Sequence, residues 1–248
     1  MKYFKGACNK VRKGRIWMSS LNISIMKDVT FIIPAYNEEK SIGHVVEKIN
    51  RLYQTDIIVI DNNSSDRTAE IAEEKGALVV KEKKQGKARA IFTGFKHLKK
   101  DYAVMMDADG TYFPEDSILL ISLLKSENAD VALGSRLKGE REDGAMSTIN
   151  LIGNFILSLT ASILYQRVSD ICTGHWAFTK KAVQYILKES LNYPGFELEA
   201  EMFSKFSKAG FKIVEAPISY KCRETEPKLS SIKDGFKIFK TLLIEKIK

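Results

Sequence analysis

Asp107 and Asp109 bracket a single alanine at the end of the apolar run Tyr102–Met106. Two carboxylates at i and i+2 can share a divalent cation where the chain turns, and Gly110 directly after them favours a turn. Hard cations such as Mg²⁺ and Mn²⁺ take oxygen ligands, and Mg²⁺ is commonly held by one or two carboxylates together with substrate phosphates. The same pair also suits a plain solvated loop, so its meaning depends on its company. Asp61 closes a second apolar run, where a carboxylate can accept hydrogen bonds from a base or ribose. Asp66, five residues on, has the ordinary role of a helix N-cap. Lys84-Gln85-Gly86-Lys87 precedes a helical stretch. There glycine permits close backbone approach, the helix N-terminus favours an anion, and Lys87 adds a point charge. These parts together would satisfy a nucleoside diphosphate. The chain has no GxxxxGK[ST], which argues against a Walker-type NTPase, and no GxGxxG after its first strand, which argues against a dinucleotide site.

The elements that must position these residues alternate from residue 29 onward. VTFIIP (29–34) reads as a strand buried on both faces, and Ile42, Val45, Val46 and Ile49 fall on one helical face. DIIVID (56–61), ALVVK (77–81), YAVMMD (102–107) and DVALGS (130–135) read as further strands. Helices are expected over 66–75, 86–99 and from Pro114 to about Ser126. This rhythm predicts an α/β fold, a mostly parallel sheet flanked by helices. In such sheets ligands bind outside the carboxyl ends of the strands. Pro34-Ala35-Tyr36-Asn37-Glu38, Asp61 and Asp107-Ala108-Asp109 all lie there.

Five stretches occur in order: IIPAYNEE (32–39), DNNSSDRT (61–68), GKARA (86–90), DAD (107–109) and GSR (134–136). The chain resembles the inverting glycosyltransferases of family 2, which have the Rossmann-like GT-A fold. Within them it is similar to the dolichyl- and polyprenyl-phosphate mannosyl- and glucosyltransferases. DICTG (170–174), FELE (196–199), Pro217-Ile218-Ser219-Tyr220 with Arg223, and Lys228-Leu229 fit that group too. The resemblance spans roughly residues 28–240. It implies that Pro34, Tyr36 and Glu38 frame base and ribose, and that Asp61 holds the nucleoside. It implies that Asp107 and Asp109 bind Mg²⁺ or Mn²⁺ on the donor diphosphate. Lys87 serves the diphosphate on the residue reading above, and by resemblance Arg136, Arg223 and Lys228 face the acceptor phosphate. The chain departs from the mannosyltransferases at Thr111, where they carry Gln, in its longer spacing from Asp109 to Pro114, and in Thr225-Glu226-Pro227-Lys228, where they carry Gly-x-Ser-Lys. The sugar is therefore not implied to be mannose, and UDP and GDP donors both stay open.

The implied reaction is metal-dependent transfer of a sugar from a nucleotide-sugar to a polyprenyl or dolichyl phosphate, with inversion. A lipid phosphate is already anionic near pH 7 and needs no strong base. A hydroxyl acceptor in a cell-surface polysaccharide or glycan, the alternative, would need a carboxylate base, and Asp170, Glu197 and Glu199 are the candidates. Asp109, Asp170 and Arg136 are the expected catalytic centre. A non-catalytic binding module built on the same fold is disfavoured by the intact DAD and GSR. His44, His97 and His175 lack metal-ligand spacing and are expected to be structural or exposed.

The 248 residues with 44% hydrophobic content suffice for one sizeable core. The expected division is a basic extension over 1–27 (a disordered tail, the product of a start taken upstream of Met26, or a membrane-surface tail), a GT-A domain over 28–228, and an amphipathic helix over 229–248. Of the net charge of +8, six basic residues with no acid lie in residues 1–25, so the body is nearly neutral and nucleic acid is not an expected partner. The three cysteines are odd in number and widely spaced, which fits a reducing cytoplasm. Residues 149–165 are strongly apolar but interrupted by Gly153, Asn154, Ser158, Thr160 and Ser162, and a full span needs about 20 residues. They are expected in the core or in a membrane interface. In the tail, Ile232, Phe236, Phe239 and Leu243 share a face and Lys233, Lys237, Lys240 and Lys246 add charge. That pattern suits peripheral contact with the cytosolic face of a membrane or packing on the sheet.

Overall fold

A computed structural model describes residues 24–193, 195–223 and 231–248. Lys228 and most of the basic extension lie outside the described residues.

The chain builds one seven-stranded sheet in the order β3-β2-β1-β4-β6-β5-β7. The strands are β1 (Val29–Ala35), β2 (Asp56–Asp61), β3 (Leu78–Lys81), β4 (Tyr102–Met105), β5 (Val131–Ser135), β6 (Trp176–Thr179) and β7 (Ile213–Pro217). The helices are α1 (Ile42–Tyr53), α2 (Thr68–Glu74), α3 (Lys87–Lys96), α4 (Ser117–Glu127), α5 (Thr148–Leu164), α6 (Lys180–Glu189), α7 (Leu198–Lys208) and α8 (Ser231–Ile247), with a 3-10 turn at Pro114–Asp116 before α4. The expected strands are present with ends shifted by a few residues. β4 stops at Met105, because the chain turns there toward Asp107.

β1 pairs with β2 on one side and β4 on the other, both parallel. Strand order therefore reverses between β1 and β4, and a crevice opens at their carboxyl ends. β6 is antiparallel to both β4 and β5, and β7 is parallel to β5. Six strands thus share one direction. β6 enters the sheet from the crevice side, with Trp176 opposite Met105, so Thr173-Gly174-His175 arrives beside the Asp107 turn. The sequence reading did not find β6, a four-residue strand inside an irregular region.

Alternate side chains of each strand feed two apolar layers. Phe31, Ile33 and Val59 pack with Val46, Ile49, Ile121 and Leu124 on one face. Ile32, Ile58 and Ile60 pack with Phe95, Trp176, Phe178, Phe203 and Phe206 on the other.

α5 and α8 pack against each other at the rim of the second layer. α5 is neither a core helix nor a span. Leu157 and Ala161 are buried, whereas Ile149, Ile152, Phe155, Ile156, Leu159 and Ile163 are exposed, Ile163 to 75%. On α8 the stripe for which membrane contact and packing on the sheet were both open is mostly outside: Ile232 is 80% and Phe236 68% exposed. The adjoining face, Ile238 and Leu242, makes the packing contact instead, with Phe239 half-buried against the core. Among the described residues no helix is long and apolar enough to cross a membrane.

Candidate active site

The loops after β1 and β2 are stitched together. Asn37 takes a left-handed conformation (φ 49°). Its backbone N–H donates to Ser64 Oγ at 3.0 Å, and its Oδ1 accepts from Ser65 N at 2.8 Å. Glu38 N donates to Thr68 Oγ1 at 2.8 Å, and Asp66 accepts from Thr68 N at 3.0 Å; the N-cap of α2 is Arg67, so Asp66 braces the turn one residue before the cap position expected for it. Asp61 is buried and accepts from Ser64 N at 3.1 Å. It therefore shapes its own turn as well as ending a strand. Asn62 holds the next loop: its amide donates to Lys84 O at 2.9 Å and its Oδ1 accepts from Gly86 N at 2.7 Å. That contact sets the start of α3 and hence Lys87. Tyr36 is partly exposed over this crevice.

Asp107 and Asp109 stand at the crevice floor. Gly110 takes φ 75°, and Asp109 Oδ1 accepts from Thr111 N at 3.0 Å and Thr111 Oγ1 at 2.7 Å. Thr111, which replaces the expected Gln, is thus engaged within the turn. Lys87 Nζ lies 2.7 Å from Asp107 Oδ1 and 2.7 Å from Glu199 Oε1. Burial would lower its pKa, but the two carboxylates outweigh burial and hold it raised. Burial pushes Glu199 up despite Lys87. Glu199 lies in the first turn of α7, a position where acids are also favoured by the helix dipole; its partner shows that it belongs to the crevice. Arg223 contacts Glu38 and reaches Asp109 Oδ2 at 3.2 Å. Arg223 thus pairs with carboxylates of the loops after β1 and β4. Gly174 presses on Asp107: a Cβ there would come 2.2 Å from Oδ2.

The second centre follows β5. Arg136 forms a bidentate pair with Asp170, Nε–Oδ2 and Nη2–Oδ1 both at 2.8 Å, and its backbone N–H donates to Oδ2 at 2.9 Å. Asn154 Nδ2 of α5 donates to Oδ1 at 2.7 Å. Burial raises the Asp170 pKa, but the Arg136 charge and these hydrogen bonds prevail and hold it below the usual value. Asp170 is fully buried with both oxygens engaged, so it orients Arg136 and is a poor base. The guanidinium lies 5.2 Å from the Tyr220 ring, which meets Tyr112 edge-on at 5.2 Å. Glu215 Oε1 accepts from Ser169 N at 2.8 Å and Oγ at 2.9 Å, fixing the approach to Asp170. Sequence reasoning missed Asn62, Asn154 and Glu215, whose partners lie far along the chain; an amide inside an apolar helix was the one visible signal. Buried His175 meets Ser117 Oγ through Nε2 at 2.9 Å, and burial lowers it to about 3, a structural role. Glu197 stands at the N-cap of α7.

Two carboxylates on a tight turn, with oxygen as the donor atom, fit a hard divalent cation. Lys87 and Arg223 now balance the charge that such an ion would balance. Among the described residues no cluster of three or more His, Cys, Asp or Glu could hold a metal, so the remaining ligands would come from substrate and water.

A family model described as glycosyl transferase family 2 matches residues 30–187. The chain belongs to glycosyltransferase family 2. It is 31% identical over 231 residues to the low-salt glycan biosynthesis hexosyltransferase Agl6 of Haloferax volcanii, covering 91% of this chain but 55% of that protein. It is 32% identical over 246 residues to the UDP-N-acetylglucosamine–dolichyl-phosphate N-acetylglucosaminyltransferase of Methanococcus voltae, covering 89% and 97% of the two chains. The glucosyl-3-phosphoglycerate synthase of Mycobacterium tuberculosis, solved with Mn²⁺, uridine-diphosphate-glucose and phosphoglyceric acid, superposes with a TM-score of 0.73 at 18% identity over 95% of this chain and 86% of that one. That likeness establishes the GT-A fold. This glycosyltransferase thus keeps its family's sheet and carries its carboxylates at the switch point of that sheet.

Proposed function

We propose that this glycosyltransferase moves a sugar from a nucleotide-sugar to a polyprenyl or dolichyl phosphate, inverting the anomeric centre. The observation that carries the reading is the 2.7 Å bond from Asn154 to Asp170. It joins a helix with an exposed apolar face directly to the pair that fixes Arg136. The helix that presents apolar surface suited to a lipid therefore also holds, from its buried side, the pair that fixes a guanidinium suited to a phosphate. Relatives named as dolichyl-phosphate transferases support the acceptor, and the neighbour solved with uridine-diphosphate-glucose supports a UDP donor, with GDP still open.

In this reading Pro34, Tyr36, Glu38 and Asp61 frame the nucleoside, and Lys87 stands at the diphosphate, held there by Glu199. Asp107 and Asp109 would hold Mg²⁺ or Mn²⁺, which supplies Lewis-acid stabilisation of the departing diphosphate. Arg136 orients the acceptor phosphate, two of its donors being spent on Asp170 and the rest of the fork remaining. The acceptor oxygen is already anionic and attacks without a base. Asp170 and Glu199 are both committed to cations, which leaves Glu197 as the candidate base for a hydroxyl acceptor. The exposed faces of α5 and α8, with the exposed Lys233, Lys237, Lys240 and Lys246, suit peripheral contact with an anionic cytosolic membrane face.

The test is a donor screen with purified protein, Mn²⁺ or Mg²⁺ and a short polyprenyl phosphate, scoring sugar in the organic phase. Transfer from one donor, abolished by chelator, is expected. Hydrolysis of a donor without transfer would move the acceptor to a hydroxyl.

A further inference from the structure

We infer that Tyr220 is a positioning residue that couples the Asp107–Asp109 turn to Arg136, so that a ligand on one centre strengthens binding at the other. The inference rests on the metal and acceptor roles proposed above and adds the link between them.

The chain after β7 runs between the two centres. Ile218 N donates to Ser135 O, at the end of β5, at 3.1 Å. Tyr220 then makes two backbone bonds to the loop that follows Arg136. Its N–H donates to Glu140 O at 2.9 Å, and its carbonyl accepts from Glu142 N at 3.0 Å. On the other side Lys221 N donates to Thr111 O at 3.0 Å. Residues 218–223 therefore bridge the turn that carries Asp109 and the loop that carries Arg136. The fit is close, because a Cβ on Gly139 would come 1.8 Å from Ile218 O. The bridge reaches Arg223, which pairs with Asp109.

Side chains make the same link at Tyr220. Its ring lies 5.2 Å from the Arg136 guanidinium and meets Tyr112 edge-on. The Tyr112 hydroxyl accepts from Gly174 N at 2.7 Å, the glycine pressed on Asp107. The Tyr220 phenol is in side-chain hydrogen-bond contact with Thr111. Thr111 Oγ1 gives its one hydrogen to Asp109 Oδ1 at 2.7 Å, so toward Tyr220 it offers a lone pair. Hydrogen bonds thus run from the phenol through Thr111 to Asp109, while the ring backs Arg136. A phenylalanine would fill the same space and back the guanidinium equally; the hydroxyl alone adds the contact with the Asp109 turn. A ligand that fixes Asp109 fixes, through Thr111, the ring against which Arg136 rests. The second ligand then meets a guanidinium already placed, and by reciprocity the effect runs both ways.

The experiment uses the full chain with UDP and follows Mn²⁺ binding by electron paramagnetic resonance of the free ion. Titrations are run with and without geranyl phosphate and corrected for Mn²⁺ held by each additive in protein-free solution. In the wild type geranyl phosphate is expected to tighten Mn²⁺ binding about tenfold, and Mn²⁺ to tighten geranyl phosphate by the same factor. Tyr220→Phe should cut that factor below about threefold and leave the affinity for geranyl phosphate alone unchanged. Tyr220→Leu should abolish the factor and also weaken geranyl phosphate, because Arg136 loses its backing ring. Thr111→Val should lower the factor as Tyr220→Phe does, and the double variant should lower it no further, since both changes break one contact. A factor unchanged in Tyr220→Phe and Tyr220→Leu, beside a lowered unfolding midpoint, reduces Tyr220 to packing and overturns the inference. A wild type that binds both ligands with neither affecting the other overturns it too. Wild-type protein that binds no Mn²⁺ with UDP, or no geranyl phosphate, is a separate failure, that of the metal or the acceptor reading, and it removes the coupling with it.

Discussion

The two carboxylate centres of this glycosyltransferase are built to opposite specifications. Asp107 and Asp109 retain side-chain exposures of 27% and 12% and are paired with Lys87 and Arg223. Long cationic side chains at a partly solvated site can be exchanged for other cations at modest cost. Asp170 has no exposure, and both its oxygens are filled by Arg136 and Asn154. A buried pair of that kind is costly to open, because removing either partner strands a charge. The Asp107–Asp109 centre is thus suited to trade partners during a cycle, and the Asp170 centre to keep one guanidinium in one place.

Asp109→Ala should give the largest effect. It removes a carboxylate that no neighbour can replace, and activity should fall on the order of a thousandfold with folding retained. Circular dichroism beside initial rates checks both halves of that statement. Comparable loss of fold would erase the distinction between an exchangeable and a fixed centre.

Arg136→Ala should act in the reverse way, lowering stability by about 3–5 kcal/mol because Asp170 is left buried and unpaired. Urea unfolding measures this. The pH dependence follows from the sign of the Asp170 shift. Its folded pKa lies below the ordinary value of a free aspartate, so its stabilisation is complete above that ordinary value and is lost as pH falls through the folded pKa. Between pH 5 and strongly acidic pH, Asp170→Asn should lose less stability than the wild type does. Identical acid slopes would show that the pair carries no such linkage.

Glu199→Gln should be milder. Lys87 keeps Asp107 as a partner, so kcat/KM should fall about tenfold, mostly through donor KM. An effect confined to acceptor KM would place Glu199 on the wrong side of the comparison. The smallest change in stability is expected for Phe155→Ser on the outer face of α5, within about 0.5 kcal/mol. Binding to anionic vesicles should nevertheless drop about tenfold, because the lost side chain would otherwise be buried in lipid. Undiminished flotation with vesicles would detach this face from any membrane role.

The half of the site around Asp61, Asp107 and Asp109 was largely legible from the sequence because its signals are local. Apolar runs ending at Pro34, Asp61 and Met106 mark strands whose carboxyl ends meet, and Asp107-Ala108-Asp109 is a motif of three neighbours. The half around Arg136 and Asp170 was legible only in part. Arg136 and Asp170 were singled out as separate residues 34 positions apart, and nothing in the spacing announced that one would saturate the other. α5 is apolar around most of its circumference, so periodicity could not say which face is buried. α8 offers two apolar faces, and the core took Ile238 and Leu242 while leaving Ile232 and Phe236 outside.

The sequence alone thus determined the alternating strands and helices, the family, and the aspartates at the switch point, because each depends on residues close together in the chain. Only the tertiary structure decided that β6 runs backward to bring Gly174 against Asp107, that Lys87 bridges to Glu199, and that Asn154 ties an apolar helix to Asp170. The reason is physical: a buried charge must be matched by whatever group packing brings within about 3 Å, and sequence distance places no limit on which group that is.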